Sequence, residues 1–415
     1  MQKRLKVLII LVLSVTALST LTVIKLVDDR NNKTQDSFTN AKNVIIFIGD
    51  GMGPSHRQAI QLATVGQSGE LAMDDMPHSG IIHTSSTSGV TDSAAAGTAI
   101  ATGVKTYNGA IGVDENKKPL KSILDYASQA GKATGLVTTS QITDATPAAF
   151  GSNVTDRSEH SDIAKQFIEN SKVDLLLGGG EDFWFPAGNA GSYPDNPAKD
   201  PTEQSKGSEG NLVEKAKSLG YSYVTDRAQL RDTNSKKILG LFANEEMFEY
   251  GEESGDQYQP VVPLTKMTKT AIDTLSQNDK GFFLMVEEEG IDAMSEDNNA
   301  ELMIKAGQEL DKSVAIAKDY AKKHRDTLIL VLADHETGGL SIEDASGQVT
   351  SNDGTSEEQG PFKIAHSKKK FKTHWSTKEH SDRSVPLTAV GPGSEIFTGS
   401  YENNHIFDKL KQVLG

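Results

Sequence analysis

Asn43-Val44-Ile45-Ile46-Phe47-Ile48-Gly49-Asp50-Gly51-Met52-Gly53 is the stretch on which the reading of this chain turns. Residues 44–48 form an unbroken apolar run of β-branched and aromatic side chains. Such a run, without polar alternation, predicts a strand covered on both faces, as in a parallel sheet packed between helices. The run ends in a glycine-rich turn that carries one acid, Asp50. Open parallel sheets hold their ligands beyond the carboxyl ends of the strands, so Asp50 stands where a functional residue is expected. The turn is not a nucleotide loop. It lacks the Lys-Ser/Thr ending and puts a carboxylate where a pyrophosphate needs bare backbone.

Further runs of the same kind occupy 134–138, 173–177, 238–242, 282–286, 327–332 and 385–390, with helix-like segments between them. The clearest helix is 299–323, where Leu302, Ala306, Leu310, Val314, Ala317 and Ala321 keep three-to-four spacing. The alternation predicts an α/β fold: a central, mostly parallel sheet flanked by helices on both faces, within one domain over 43–415. Two stretches rich in Gly, Pro, Asn, Ser or charge, about 181–235 and 343–373, read as surface insertions.

The chain has 415 residues, with 42 Lys plus Arg against 57 Asp plus Glu, a net charge of −15. That balance argues against nucleic acid as a specific partner. With 36% hydrophobic and 24% charged residues the chain can bury a substantial core. There is no cysteine, which excludes disulfides, thiolate nucleophiles and cysteine-ligated zinc. Any metal must be held by oxygen and imidazole nitrogen. At the N-terminus, Met1-Gln2-Lys3-Arg4-Leu5-Lys6 is basic and precedes an apolar stretch over 7–24 broken only by Ser and Thr. Residues 1–27 read as a secretory signal peptide or an uncleaved N-terminal membrane anchor. An apolar length of about 18 residues, near the lower limit for spanning a bilayer, leaves both open. Residues 28–42 read as a polar tether, and the folded part is expected to be exported, whether secreted, periplasmic or held at the cell surface.

The other strand ends are acidic too. Asp144-Ala145-Thr146 follows the 134–138 run, Glu287 and then Asp292 follow 282–286, and Asp334-His335-Glu336 follows 327–332. One such Asp is commonly a helix cap or turn residue. Four together would leave buried, mutually repelling charges, which multivalent cations offset. Ser93, in Thr91-Asp92-Ser93-Ala94-Ala95-Ala96-Gly97-Thr98-Ala99, stands at the start of an Ala-rich helix, where amides and dipole favour an anion such as phosphate. By itself it could be an ordinary N-cap. Beside an acidic, metal-holding rim it becomes a candidate nucleophile, because a metal lowers a hydroxyl pKa without a neighbouring His base.

Taken together, 43–53, 91–103, Asp144-Ala145-Thr146-Pro147-Ala148, 174–180, 282–292, Ala333-Asp334-His335-Glu336-Thr337-Gly338-Gly339 and Trp375-Ser376-Thr377-Lys378-Glu379-His380 with Val385-Pro386 resemble the alkaline phosphatase family. The family consists of metal-dependent phosphomonoesterases with two zinc ions and one magnesium. The resemblance runs in order from about residue 43 to the C-terminus. It implies that Ser93 is transiently phosphorylated while small phosphate monoesters are hydrolysed. Asp50, Asp334 and His335 would hold the zinc beside it. Asp50, Thr146 and Glu287 would hold magnesium, with Asp144 holding waters of that ion. Arg157, in Val154-Thr155-Asp156-Arg157, would clamp two phosphate oxygens. Asp292 and His380 would hold the other zinc. The resemblance also allows a homodimer.

One position departs from the family. Four residues after the Asp292 position the family usually has a His; here it is Glu296. A carboxylate is harder than imidazole and favours oxygen-loving ions. Glu296 reads as a working substitute, as a mark of a different metal, or as a lost ligand. Ala293 is a second departure, where many relatives carry Lys, His or Trp. His374 is an alternative ligand to His380, but the Trp-x-Thr-x-x-His frame favours His380; the remaining histidines read as surface or packing residues. Two other functions keep the same residues in view: a diesterase or sulfatase on a related core, and a metal- or phosphate-binding protein without turnover. Ser93 and Arg157 together argue against both.

Overall fold

The computed structural model describes residues 40–170, 173–195, 204–249, 257–345 and 357–415. Within these, the strands in chain order are β1 (Asn43–Gly49), β2 (His78–His83), β3 (Ala133–Gln141), β4 (Leu175–Gly179), β5 (Ser222–Val224), β6 (Ile238–Leu241), β7 (Phe282–Glu288) and β8 (Thr327–Leu332). They continue with β9 (Glu336–Thr337), β10 (Ser341–Asp344), β11 (Glu357–Lys363), β12 (Lys370–Trp375), β13 (His380–Ser381), β14 (Val385–Val390) and β15 (Gly399–Glu402). A ten-stranded sheet has the order β15-β2-β14-β8-β1-β7-β3-β4-β6-β5. It is parallel except at β14, which runs antiparallel to both β8 and β2. β1, β7 and β8 are buried at every position, so both faces of the sheet centre are covered.

Seven of the ten strands of this sheet are the runs that the sequence marks, with ends shifted by a few residues at most, and β2, β5 and β15 are additions to them. The helix Ala300–Lys323 buries Leu302, Met303, Ala306, Leu310, Val314 and Ala317, and Asn299 caps it by accepting from the Leu302 amide. It packs against the helices Leu264–Leu275, Pro54–Thr64 and Gly290–Glu296. The helix Ser93–Thr102 is buried throughout. Its small residues let it lie close on the helix Ala145–Gly151; a Cβ at Gly97 would stand 3.1 Å from that of Ala149. Two site-bearing helix N-termini are thereby brought side by side.

The described parts of the insertions hold more regular structure than their composition suggests. The 181–235 stretch holds the helices Leu212–Ser218 and Arg227–Asp232 and the edge strand β5, so its second half extends the main sheet. Three residues of strand are too few to show a period, which is why the composition reads as loop. Near its start, buried Glu181 accepts from the amides of Ser192 and Tyr193 at 2.9 and 2.8 Å. Within 343–373 lies most of a three-stranded antiparallel sheet, β10-β12-β11. The signal or anchor reading of 1–27, and 28–39 of the tether, fall outside the described residues. Ala41 and Lys42 belong to the fold, their amides bonded to the carbonyls of Val413 and Asp326. Among the described residues no helix is long and apolar enough to cross a membrane.

Candidate active site

β8, β1, β7 and β3 are neighbours in the sheet, and their carboxyl ends meet at one rim. Asp50 follows β1, Glu287 lies near the end of β7, Asp334 and His335 follow β8, and Asp144 follows β3. Gly51 turns the chain at φ +64°, and a Cβ there would collide with Asp292 Oδ1 and Thr337 Oγ1. Only glycine satisfies both demands.

An inner cluster is centred on His335 Nε2, which lies 3.2 Å from Asp50 Oδ1, 3.3 Å from Asp334 Oδ2 and 3.2 Å from Ser93 Oγ. Asp334 Oδ1 accepts from the amides of Gly51 and His335. Asp334 Oδ2 and Asp50 Oδ1 are buried without a hydrogen-bond partner. Burial, and then the charges of Asp334, Asp292 and Glu287, raise the Asp50 pKa well above the carboxylate range. Burial lowers that of His335 and favours the neutral imidazole. Its Nδ1 lies 3.2 Å from Thr337 Oγ1, which donates to Asp292 Oδ1. Those partners assign the proton to Nδ1 and turn the Nε2 lone pair toward the carboxylates.

Ser93 is the first residue of its helix rather than the cap. Asp92 caps it, with Oδ1 accepting from the Ala95 amide at 2.9 Å. The Ser93 hydroxyl is therefore left to face His335, which resolves the two readings of this serine in favour of an available hydroxyl at the positive end of a helix. Arg157 reaches over the same end, 2.9 Å from Asp144 Oδ1 and 3.5 Å from Asp92 Oδ2.

An outer cluster holds Asp292, Glu296 and His380. β13 pairs with β9, placing His380 opposite Thr337. His380 Nδ1 donates to the Thr91 carbonyl at 2.9 Å, and Nε2 faces Asp292 Oδ2 at 3.7 Å and Glu296 Oε1 at 3.6 Å. Its ring stacks on His335 with centroids 3.6 Å apart, joining the two clusters. Burial opposes charging His380, but the two carboxylates outweigh it and push its pKa up to about 11. Burial likewise opposes ionising Asp292, yet His380, His335 and Thr337 hold it below the usual carboxylate range. His374 lies elsewhere, on β12, with Nε2 3.4 Å from Glu343.

A third group lies behind Asp50. Thr146 Oγ1 is 3.4 Å from Asp50 Oδ2, and Thr138 Oγ1 donates to Glu287 Oε2 at 2.6 Å. Burial and Asp144 push Glu287 up to about 8 against the bonds from Thr138 and Thr146. Asp144 accepts from Ser140, from the Ala145 amide and from Arg157. Burial alone would raise its pKa; Arg157 and these bonds bring it below normal. Its oxygens are committed, which suits a residue standing behind a bound ion.

The donors are all oxygen or imidazole nitrogen, and the partnerless buried oxygens of Asp50 and Asp334 are an arrangement that divalent cations stabilise. The residues fit metal ions. Asp92, Thr91 and Thr337 do structural work here that residue type alone did not single out, although each lies inside a quoted motif. A backbone carbonyl and a hydroxyl behind a ligand carry no distinctive spacing.

A family model described as alkaline phosphatase matches residues 41–363. Alkaline phosphatase 4 of Bacillus subtilis is 33% identical over 443 residues, covering 91% of this chain and 90% of the relative. Alkaline phosphatase of Escherichia coli is 32% identical, covering 94% and 90%. The solved alkaline phosphatase of the Antarctic bacterium TAB5 superposes with a TM-score of 0.73 at 31% identity, covering 91% of this chain and 99% of that one. A mutant of that enzyme has been solved with magnesium bound.

Proposed function

The chain belongs to the alkaline phosphatase family, and we propose that it hydrolyses phosphate monoesters by two successive displacements at phosphorus, through a phosphoserine on Ser93. The observation that carries this reading is the Ser93 hydroxyl itself. It is freed from capping by Asp92 and stands 3.2 Å from His335 Nε2 beside two partnerless carboxylate oxygens.

Asp50, Asp334 and His335 would hold zinc, Asp292, Glu296 and His380 a second divalent ion, and Asp50, Thr146 and Glu287 magnesium. Bound there, the ions would lower the pKa of the Ser93 hydroxyl and of the attacking water and neutralise charge on the phosphoryl oxygens. Ser93 Oγ bonds to phosphorus as the bond to the alcohol oxygen breaks. Arg157, aimed by Asp92 and Asp144, holds two phosphoryl oxygens, and the amides at the start of the helix Ser93–Thr102 face the same charge. Water then displaces Ser93 and releases inorganic phosphate. Export rests on the basic, then apolar, order of residues 1–24.

The test is p-nitrophenyl phosphate hydrolysis at alkaline pH by the purified chain, stripped of metal and reloaded with zinc plus magnesium, beside Ser93→Ala. Turnover that vanishes in Ser93→Ala, with radiolabelled phosphate trapped on the parent after acid quench, supports the route. Equal turnover in the variant sinks it.

A further inference from the structure

The outer and inner clusters differ in how they meet water and in what charge they carry. The side chains of Asp50, Asp334 and His335 are 0–3% exposed, whereas those of the outer cluster are 8% for Asp292, 17% for His380 and 44% for Glu296. Glu296 is the last residue of the helix Gly290–Glu296, one turn after Asp292, so both carboxylates project from one face. A carboxylate at the C-terminal end of a helix opposes the dipole and calls for a facing cation. Glu296 faces His380 Nε2 at 3.6 Å, on the nitrogen that Thr91 leaves free. Asp292 also touches the inner cluster, with Oδ1 4.0 Å from His335 Nδ1, whereas Glu296 stands on the outer side of His380, and Asp50 of the inner cluster reaches Thr146 of the third.

We infer that Glu296, in place as the third ligand of the outer site, makes that site the exchangeable one, releasing zinc first and accepting Mn2+ in its place while the inner site keeps its zinc. The inference rests on the metal-supported reading above and names the ion chemistry of one of its sites. Catalytic zinc sites are usually rich in imidazole or thiolate. Two carboxylates and one imidazole, with one carboxylate open to water, suit ions that take oxygen ligands and retain several waters. The exposed side also gives the ion a route in and out.

The experiment compares the full chain with Glu296→His and Glu296→Gln, each checked for fold by circular dichroism. Each two-zinc protein is titrated with a chromophoric zinc chelator, then dialysed against Mn2+ and analysed for metal content. Groups behind a metal ligand are themselves worth about 10- to 100-fold in affinity, so changing the ligand should shift outer-site affinity by at least about tenfold. The expected result is two separate zinc releases in the parent, with Mn2+ replacing the first. Glu296→His should tighten that first zinc and resist Mn2+, and Glu296→Gln should weaken Mn2+ uptake. Outer-site affinities that are the same in all three proteins would overturn the inference, as would Mn2+ entering the inner site first. Metal content is read without turnover, so this result stands apart from the phosphatase assay. Failure of all three proteins to bind any divalent ion would overturn the metal-supported reading itself, and the inference with it.

Discussion

Thr337→Val removes one hydroxyl and keeps the branched shape, at a side chain with no solvent exposure. In the native chain that hydroxyl donates to Asp292 Oδ1 and lies 3.2 Å from His335 Nδ1. The variant leaves a buried carboxylate oxygen and a ring N–H without this partner, and hydrogen bonds to charged groups are worth about 1.5–3 kcal/mol. At about 2.1 cal/mol/K of unfolding entropy per residue, a folded unit of about 375 residues has roughly 0.8 kcal/mol/K, so Tm should fall by about 2–4 °C. Both metal clusters should also lose affinity, since Thr337 orients one ligand of each, by about 10- to 100-fold. Calorimetry of the metal-free protein and chelator competition of the zinc-loaded one measure the two effects separately. Thr337→Ser keeps the hydroxyl and should restore metal affinity. The reasoning is refuted if Thr337→Val leaves both Tm and affinity unchanged, or if Thr337→Ser is as impaired as Thr337→Val.

Arg157→Ala should weaken inhibition by inorganic phosphate about 10- to 100-fold, the loss of charge-assisted bonds to two oxygens, with a smaller change in kcat; a larger loss in kcat than in phosphate affinity would contradict the clamp role. Removing metal with EDTA should lower Tm as well as abolish activity, because Asp50 and Asp334 keep partnerless buried oxygens; an unchanged Tm would show that the ions do not support the fold. Burial, with Asp144 nearby, raises the Glu246 pKa from 4.5 to about 7 despite a bond from Gln141, so its share of stability is present below pH 4.5 and is lost as pH rises to about 7. Glu246→Gln should therefore stabilise the chain at pH 8 relative to the parent and have little effect at pH 4, a difference that urea titrations at the two pH values would reveal or exclude.

Legibility followed length and repetition. β1, β7 and β8 are buried on both faces, so nearly every residue must be apolar and each run announces itself. β2 and β15 went unread. β2 is buried only at alternate inner positions, and β15 is four residues with two exposed, so neither leaves an unbroken run. β9 and β13 are two residues each, yet their pairing is what carries His380 to Asp292. Such a pairing is a long-range event between segments that have no local period.

The sequence by itself determined the alternating α/β order, the acidic residues at the ends of successive strands, the absence of cysteine chemistry and the serine at a helix start. These are local properties, set by side-chain periodicity and by what each residue type can donate. Only the tertiary structure decided that β8, β1, β7 and β3 are neighbours, so that four acidic ends form one rim. It also decided that Asp92 caps the helix and leaves Ser93 free, that Thr337 ties one cluster to the other, and that Glu296, though half open to solvent, stands 3.6 Å from His380. Those outcomes depend on which segments meet across the sheet, and the free energy of that meeting comes from burying the whole core rather than from any stretch that could be read alone.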